Sequence, residues 1–245
     1  MKINEWDVSE AQAKQWNVTP GHASVSNDST WTQGAAAPIL LSNTTGFKTL
    51  KVTLLVKGTG REGIMKNRST ILSKCLAPVK IQLDGYSHLF YGVLTKHTPT
   101  EYGTKKRFHT LALEFNCYEY EAQADGSQFS GSASGSTDLI INNQGNLVTP
   151  ATVLITPQVG LASLKLTGLV RNPYTGEDLP VTVKNLTTGK TITIDGETGL
   201  MTEDEKLKSG DIETYGLPSL VPGTNTITLD SQFVDITVKY FPRYM

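Results

Sequence analysis

Four histidines, two cysteines and one group of acids are the side chains of this 245-residue chain best suited to chemistry. His97 and His109 stand on the two arms of a hairpin that joins Gly92–His97, through the polar loop Thr98–Lys106, to Phe108–Tyr120. Cross-strand neighbours come within about 5.5 Å, so the two imidazoles have the reach to share a metal ion. No third ligand stands at metal-site spacing, and ordinary strand histidines are the competing reading. Cys75 and Cys117 form no CxxC pair and sit on apolar faces. A nucleophilic thiol needs an exposed, electropositive setting, so both read as small core residues. Glu203, Asp204, Glu205, Asp211 and Glu213 suggest a calcium site or a glycosidase pair, but they lack the alternating ligands and central Gly of an EF-hand loop. A solvated loop is expected there. No GxSxG elbow, HExxH pair or Walker-type loop occurs in the sequence. The expectation is therefore a protein with no catalytic residues, no cofactor and no metal.

With 38% hydrophobic and 18% charged residues the chain has enough apolar material for packed cores. No stretch approaches the roughly 20 continuous apolar residues of a membrane span. The opening Met1–Asp7 lacks the apolar region of a secretory signal, which points to folding in a cytoplasm with both thiols reduced. A net charge of −1 and a pI near 6.4 argue against a dedicated nucleic-acid binder. The one basic cluster, Lys105-Lys106-Arg107, falls at a hairpin tip and reads as a solvated turn that discourages edge pairing.

Residues 125–137, reading DGSQFSGSASGST, have the composition of a flexible connector, which divides the chain into a domain over 1–124, a linker over 125–137 and a domain over 138–245. In the first domain Val52, Leu54 and Val56 alternate with Lys51, Thr53 and Lys57, as in a half-buried strand. Thr59 and Glu62 have capping-box spacing, and Ile64, Ile71, Leu72, Cys75 and Leu76 share a helical face that Pro78 ends. Asp84-Gly85 between apolar runs predicts a hairpin turn. The first 45 residues are less regular, with a short helix expected over Ser9–Gln15 capped by Asp7. They also hold all three tryptophans, Trp6, Trp16 and Trp31. The first domain thus reads as α+β. The second shows seven short alternating strands, starting near residues 138, 151, 163, 180, 191, 225 and 235, the pattern of a β-sandwich. The fold class is mainly β.

Gly46–Val52, Leu76–Val79, Leu83–Tyr86, Tyr91–Thr95 and Leu113–Tyr120 in the first domain, with Asn172–Glu177, Ile194–Gly199, Pro218–Gly223 and Pro242–Met245 in the second, stand in a characteristic order and spacing. Together they resemble the distal tail proteins of long-tailed, non-contractile bacteriophages. The resemblance covers nearly the whole chain by the order and spacing of its segments; 206–215 is where it is weakest. It implies a hexameric hub ring at the virion tail tip, assembled in the bacterial cytoplasm. Its N-terminal domains would form the ring and its galectin-like C-terminal β-sandwich domains would lie at the periphery. It implies as partners further copies of the chain, the major tail tube protein, the tail-tip or tail-associated lysin protein, and receptor-binding proteins. DNA would pass through the channel without specific binding, and a near-neutral chain suits that role because basic walls would hold the phosphate backbone.

Ring contacts are heterologous, so the loops and edges of the first domain are expected to carry them, with Trp6, Trp16 and Trp31 as anchors. Plain core packing is the other reading of those tryptophans, since aromatic residues dominate cores and interfaces alike. Two other functions stay open at this level. One is a carbohydrate-binding module recognising the bacterial surface; against it, the second domain has no Trp and offers only Tyr174, Tyr215, Phe233, Tyr240, Phe241 and Tyr244 for stacking. The other is a wall-degrading enzyme.

Overall fold

The computed structural model describes residues 1–34, 36–101 and 108–245. The Lys105-Lys106-Arg107 cluster lies outside the described residues. The chain forms two compact units, Met1–Tyr120 with Met245, and Glu121–Tyr244.

The first unit is built on strands β1 (Lys2–Ile3), β2 (Trp6–Asp7), β3 (Ala13–Thr30), β4 (Ile39–Lys57), β5 (Val79–Gln82), β6 (Leu89–Glu101) and β7 (Phe108–Tyr120), with helix α1 (Gly60–Ser73) between β4 and β5. Their order in the sheet is β2-β1-β5-β6-β7-β4-β3, and each adjacent pair in that order is antiparallel. The alternation read at Val52, Leu54 and Val56 does what period 2 requires: these side chains and Leu50 are buried against Leu111, Leu113 and Phe115 of β7 and against Ile64 and Ile71 of α1. Each such aliphatic side chain contributes roughly 1.5–3 kcal/mol on burial.

Several local expectations need correction. Thr59 is the N-cap by position, but its side chain makes no capping hydrogen bond. Leu76 is exposed and does not share the apolar face of α1. Asp7 does cap a turn, accepting from Ser9 N at 2.8 Å, but the turn is a single 3-10 turn over Val8–Ala11 and not a helix to Gln15. Gln12 adopts the left-handed conformation at φ 51° and releases the chain into β3, whose cross-strand pairing outweighs the local helical tendency.

The second unit is a sandwich. Its strands are β8 (Phe129–Ser134), β9 (Asp138–Asn143), β10 (Thr149–Pro157), β11 (Leu161–Arg171), β12 (Asp178–Leu186), β13 (Ile192–Asp195), β14 (Met201–Glu203), β15 (Lys206–Leu207), β16 (Ile212–Glu213), β17 (Ser219–Leu220), β18 (Gly223–Leu229) and β19 (Val234–Tyr240). One sheet runs β15-β14-β13-β10-β19-β8 and the other β16-β12-β11-β18-β9. Val153, Ile155, Ile194, Ile236 and Val238 from the first meet Leu164, Leu166, Val181, Val183 and Ile227 from the second in one buried cluster. Six residues of the expected connector are in fact β8, paired with β19 from Asp235↔Ser134 to Tyr240↔Phe129. The backbone ladder needs no particular side chains on an edge strand, and Phe129 anchors this one against Tyr240 with ring centroids 6.0 Å apart.

Candidate interaction site

The residues that suggested chemistry are kept apart or buried. His97 pairs with Leu113, and His109 with Glu101, because β6 continues four residues past His97, to Glu101. The two imidazoles are therefore several rungs apart. No group of three metal-ligating side chains occurs among the described residues. Cys75 and Cys117 are buried, and desolvation pushes their thiols up to about 11 and about 12, so neither is a thiolate near neutrality.

The acidic group is more ordered than a solvated loop. Lys208, nearly buried, directs its ammonium at the Asn185 carbonyl (2.9 Å), Glu203 Oε2 (3.3 Å) and Asp211 Oδ2 (3.3 Å), at the base of a polar cleft of about 420 Å³. One hydrogen bond and two ion pairs close on the ammonium, so the lysine occupies the place that a cation would take. Composition alone did not single out Lys208, because its ammonium is held by the Asn185 carbonyl, 23 positions away.

What the first unit does present is an exposed ribbon. β4 pairs with β7 only from Lys57↔Phe108 to Lys48↔Cys117, whereas β3 and β4 stay paired with each other as far as Thr30↔Ile39. Beyond Lys48 the two strands form a two-stranded ribbon, a form only marginally stable alone in water. The β3–β4 ladder carries four register shifts. Trp16 is the extra residue of the first, Leu41 that of the last, and Gly46-Phe47 oppose Ser24 in another. A bulge re-aims the side chain it carries. Here three bulges present large apolar side chains to solvent: Trp16 is 69% exposed, Phe47 68% and Leu41 55%. Trp31, just beyond β3, is exposed as well, with Val25 and Ile39 nearby on the ribbon. Trp6 is different: it is partly buried against the core, with the Lys74 ammonium 5.8 Å from its ring centroid. Of the three tryptophans singled out in the sequence, Trp16 and Trp31 are exposed and Trp6 is not; the exposure of Phe47 and Leu41 is set by register and has no local sequence signal.

Elsewhere in this sheet Tyr91 and Val93 alternate with the buried Phe90, so they are exposed on the face turned away from the core, and the Tyr91 and Tyr118 rings lie 5.6 Å apart. On the second unit, Tyr174 and Tyr215 are 91% and 83% exposed. Tyr174 rides on a turn held by Asn172, whose Oδ1 accepts from Tyr174 N and Thr175 N.

This architecture is found among solved structures of phage hub and baseplate proteins. The crystal structure of the SPP1 Dit protein, described as a paradigm of the hub adsorption apparatus in phages infecting Gram-positive bacteria, aligns over 99% of this chain and 98% of its own with a TM-score of 0.75 at 13% identity. A chain of the phage P2 baseplate in its activated, Ca-bound conformation aligns over 97% of this chain and 92% of its own with a TM-score of 0.52 at 11% identity. No protein-family model matches the chain, and neither does any curated protein. The chain therefore has the Dit fold, in agreement with the mainly β class expected from its sequence.

Proposed function

We propose that the protein is a structural distal tail protein: a hub that assembles as a hexameric ring at the phage tail tip and joins the tail tube to the host-adsorption apparatus, with DNA passing through its channel. The observation that carries this reading is the end-to-end likeness to the Dit hub protein, both units included, at a TM-score of 0.75. Partner proteins would be the tail tube on one side and the tail-tip protein on the other, with receptor-binding proteins attached outside, and the place of action is the virion tail. The buried thiols, the separated histidines and the lysine-filled acidic group support a role without catalysis.

In this reading the ribbon and the adjoining edge strand β3 of one copy pack on the next copy's Tyr91–Val93 face, a heterologous contact of the kind that closes a ring. Trp16, Trp31, Phe47 and Leu41 supply its apolar anchors, and Trp6 serves the fold of its own subunit. Light scattering across a concentration series tests the assembly. A particle six times the chain mass, or twelve times for two stacked rings, is expected; a strict monomer at high concentration counts against the ring.

A second reading, glycan recognition at the bacterial surface, is favoured by the exposed rings of Tyr174 and Tyr215. Binding to a cell-wall glycan panel that is lost in Tyr174→Ala or Tyr215→Ala would support it, and silence across the panel would remove it.

A further inference from the structure

The root of the ribbon holds a charge where a β-sheet ordinarily holds an aliphatic side chain. Lys48 is 5% exposed and is the last β4 residue paired with β7. Its partner on β3, Ala23, is flanked by register shifts on both sides. Between Pro20↔Leu50 and Ala23↔Lys48 the extra residue is on β3, within Gly21-His22; between Ala23↔Lys48 and Val25↔Thr45 it is on β4, within Gly46-Phe47. The single pair Ala23–Lys48 thus separates two opposed bulges, each of which bends its strand and raises the local twist. Close backbone approach needs glycine in the first bulge, where a Cβ at Gly21 would lie 2.8 Å from the Thr49 carbonyl oxygen; in the second, a Cβ at Gly46 would meet only the Ser24 hydroxyl, which a side-chain rotation can clear.

At this pivot the Lys48 ammonium is paired with Glu119 Oε2, and His88 Nδ1 lies 2.6 Å from the other oxygen of the same carboxylate. Glu119 belongs to β7, two residues beyond the Cys117 that faces Lys48 across the ladder, so the ion pair ties the ribbon's last anchored residue to the rigid sheet. An aliphatic pair of similar volume would stabilise the fold about as well, because desolvating two charges offsets most of their attraction. What an ion pair adds is direction: a charge-assisted hydrogen bond holds one geometry, whereas an apolar contact tolerates several.

We propose that Lys48 and Glu119 form a hinge pin, which fixes the angle at which the ribbon leaves the sheet, and that the double bulge around Ala23 is the hinge on which the ribbon swings once the pin is removed. The pin acts within one chain and does not depend on the hub reading or on ring formation. The test is a distance measurement on the full chain. Spin labels at Ser29→Cys on the ribbon and Lys66→Cys on α1, both exposed positions, are read by pulsed electron–electron resonance after dilution with unlabelled protein. The two native cysteines are buried and stay unlabelled. The parent protein is expected to give one narrow distance distribution. Lys48→Met, which keeps the length and removes the charge, and Glu119→Gln, which keeps the shape, should each broaden it about twofold while the melting cooperativity of the sheet is retained. An unchanged distribution in both folded variants overturns the proposal. So does loss of the folded sheet in both, which would make the pair a support of the whole unit and not of the ribbon.

Discussion

Removing the two aromatic side chains that the bulges present, in a Trp16→Ala/Phe47→Ala variant, should weaken assembly without weakening the fold. Trp16 and Phe47 are 69% and 68% exposed in the single chain. Aromatic side chains of this size offer 150–250 Å² each, so the two leave roughly 300 Å² of apolar surface in water. At about 25 cal/mol per Å² its complete burial against a neighbour would contribute about 7 kcal/mol per contact. Ordering two side chains and imperfect packing remove about half of that. The remaining 3–4 kcal/mol corresponds to a two- to three-decade rise in the dissociation constant of each subunit contact. Sedimentation velocity over a concentration series reads this directly as a shift of the assembly midpoint. Thermal unfolding of the isolated subunit should move little, because neither ring belongs to the buried cluster of the first unit. If the double variant assembles over the same concentration range as the parent, the bulges present these rings for some other purpose and neither the β3 edge nor the ribbon is the ring contact.

Three further outcomes are expected. Lys208→Ala leaves Glu203 and Asp211 facing each other without their shared cation and should destabilise the second unit by about 2 kcal/mol, seen as a fall of about 8 °C in its melting midpoint; an unchanged midpoint would show that the cleft solvates both acids. Burial raises the pKa of Glu119, but the hydrogen bonds from Lys48 and His88 outweigh it and hold the carboxyl below its usual range. A carboxyl with a depressed folded pKa contributes stability that is present above the unfolded value, near 4.5, and is lost as pH falls through the lower folded value. The parent should therefore lose stability in acid through this group and Glu119→Gln should lose less; parallel pH profiles would sink the assignment. Cys75 and Cys117, with thiols raised to about 11 and about 12, should resist a disulfide reagent at pH 8 in the native protein and react on denaturation; rapid native reaction would mean that the core around them opens.

Much of the architecture is legible in the chain because period 2 is a local property. Val52, Leu54 and Val56 in β4, and Val153, Ile155, Ile236 and Val238 in the sandwich, announce both the strand and its buried face. The turn at Asp84-Gly85 is equally local, with Gly85 at a positive φ that a side chain would resist. The absence of catalytic motifs is local too, since such motifs depend on residue type and short spacing. The order of family-like segments carried the fold expectation further than composition could.

Register and burial of charge are not local, and there the tertiary structure decided. Ala13–Thr30 lacks an apolar alternation because its ribbon part buries little, so only pairing with β4 reveals it as a strand. The serines and glycine of β8 read as a connector until Val234–Tyr240 supplies a ladder for them. Whether Trp16 or Trp6 faces water depends on a bulge at one and on core packing at the other. Lys48 and Lys208 look like any surface lysine until residues 71 positions away and 23 positions away close around them. A chain records the preferences of each residue, whereas the contacts that bury a charge or expose a ring are set by segments distant in sequence, and only the folded arrangement brings those together.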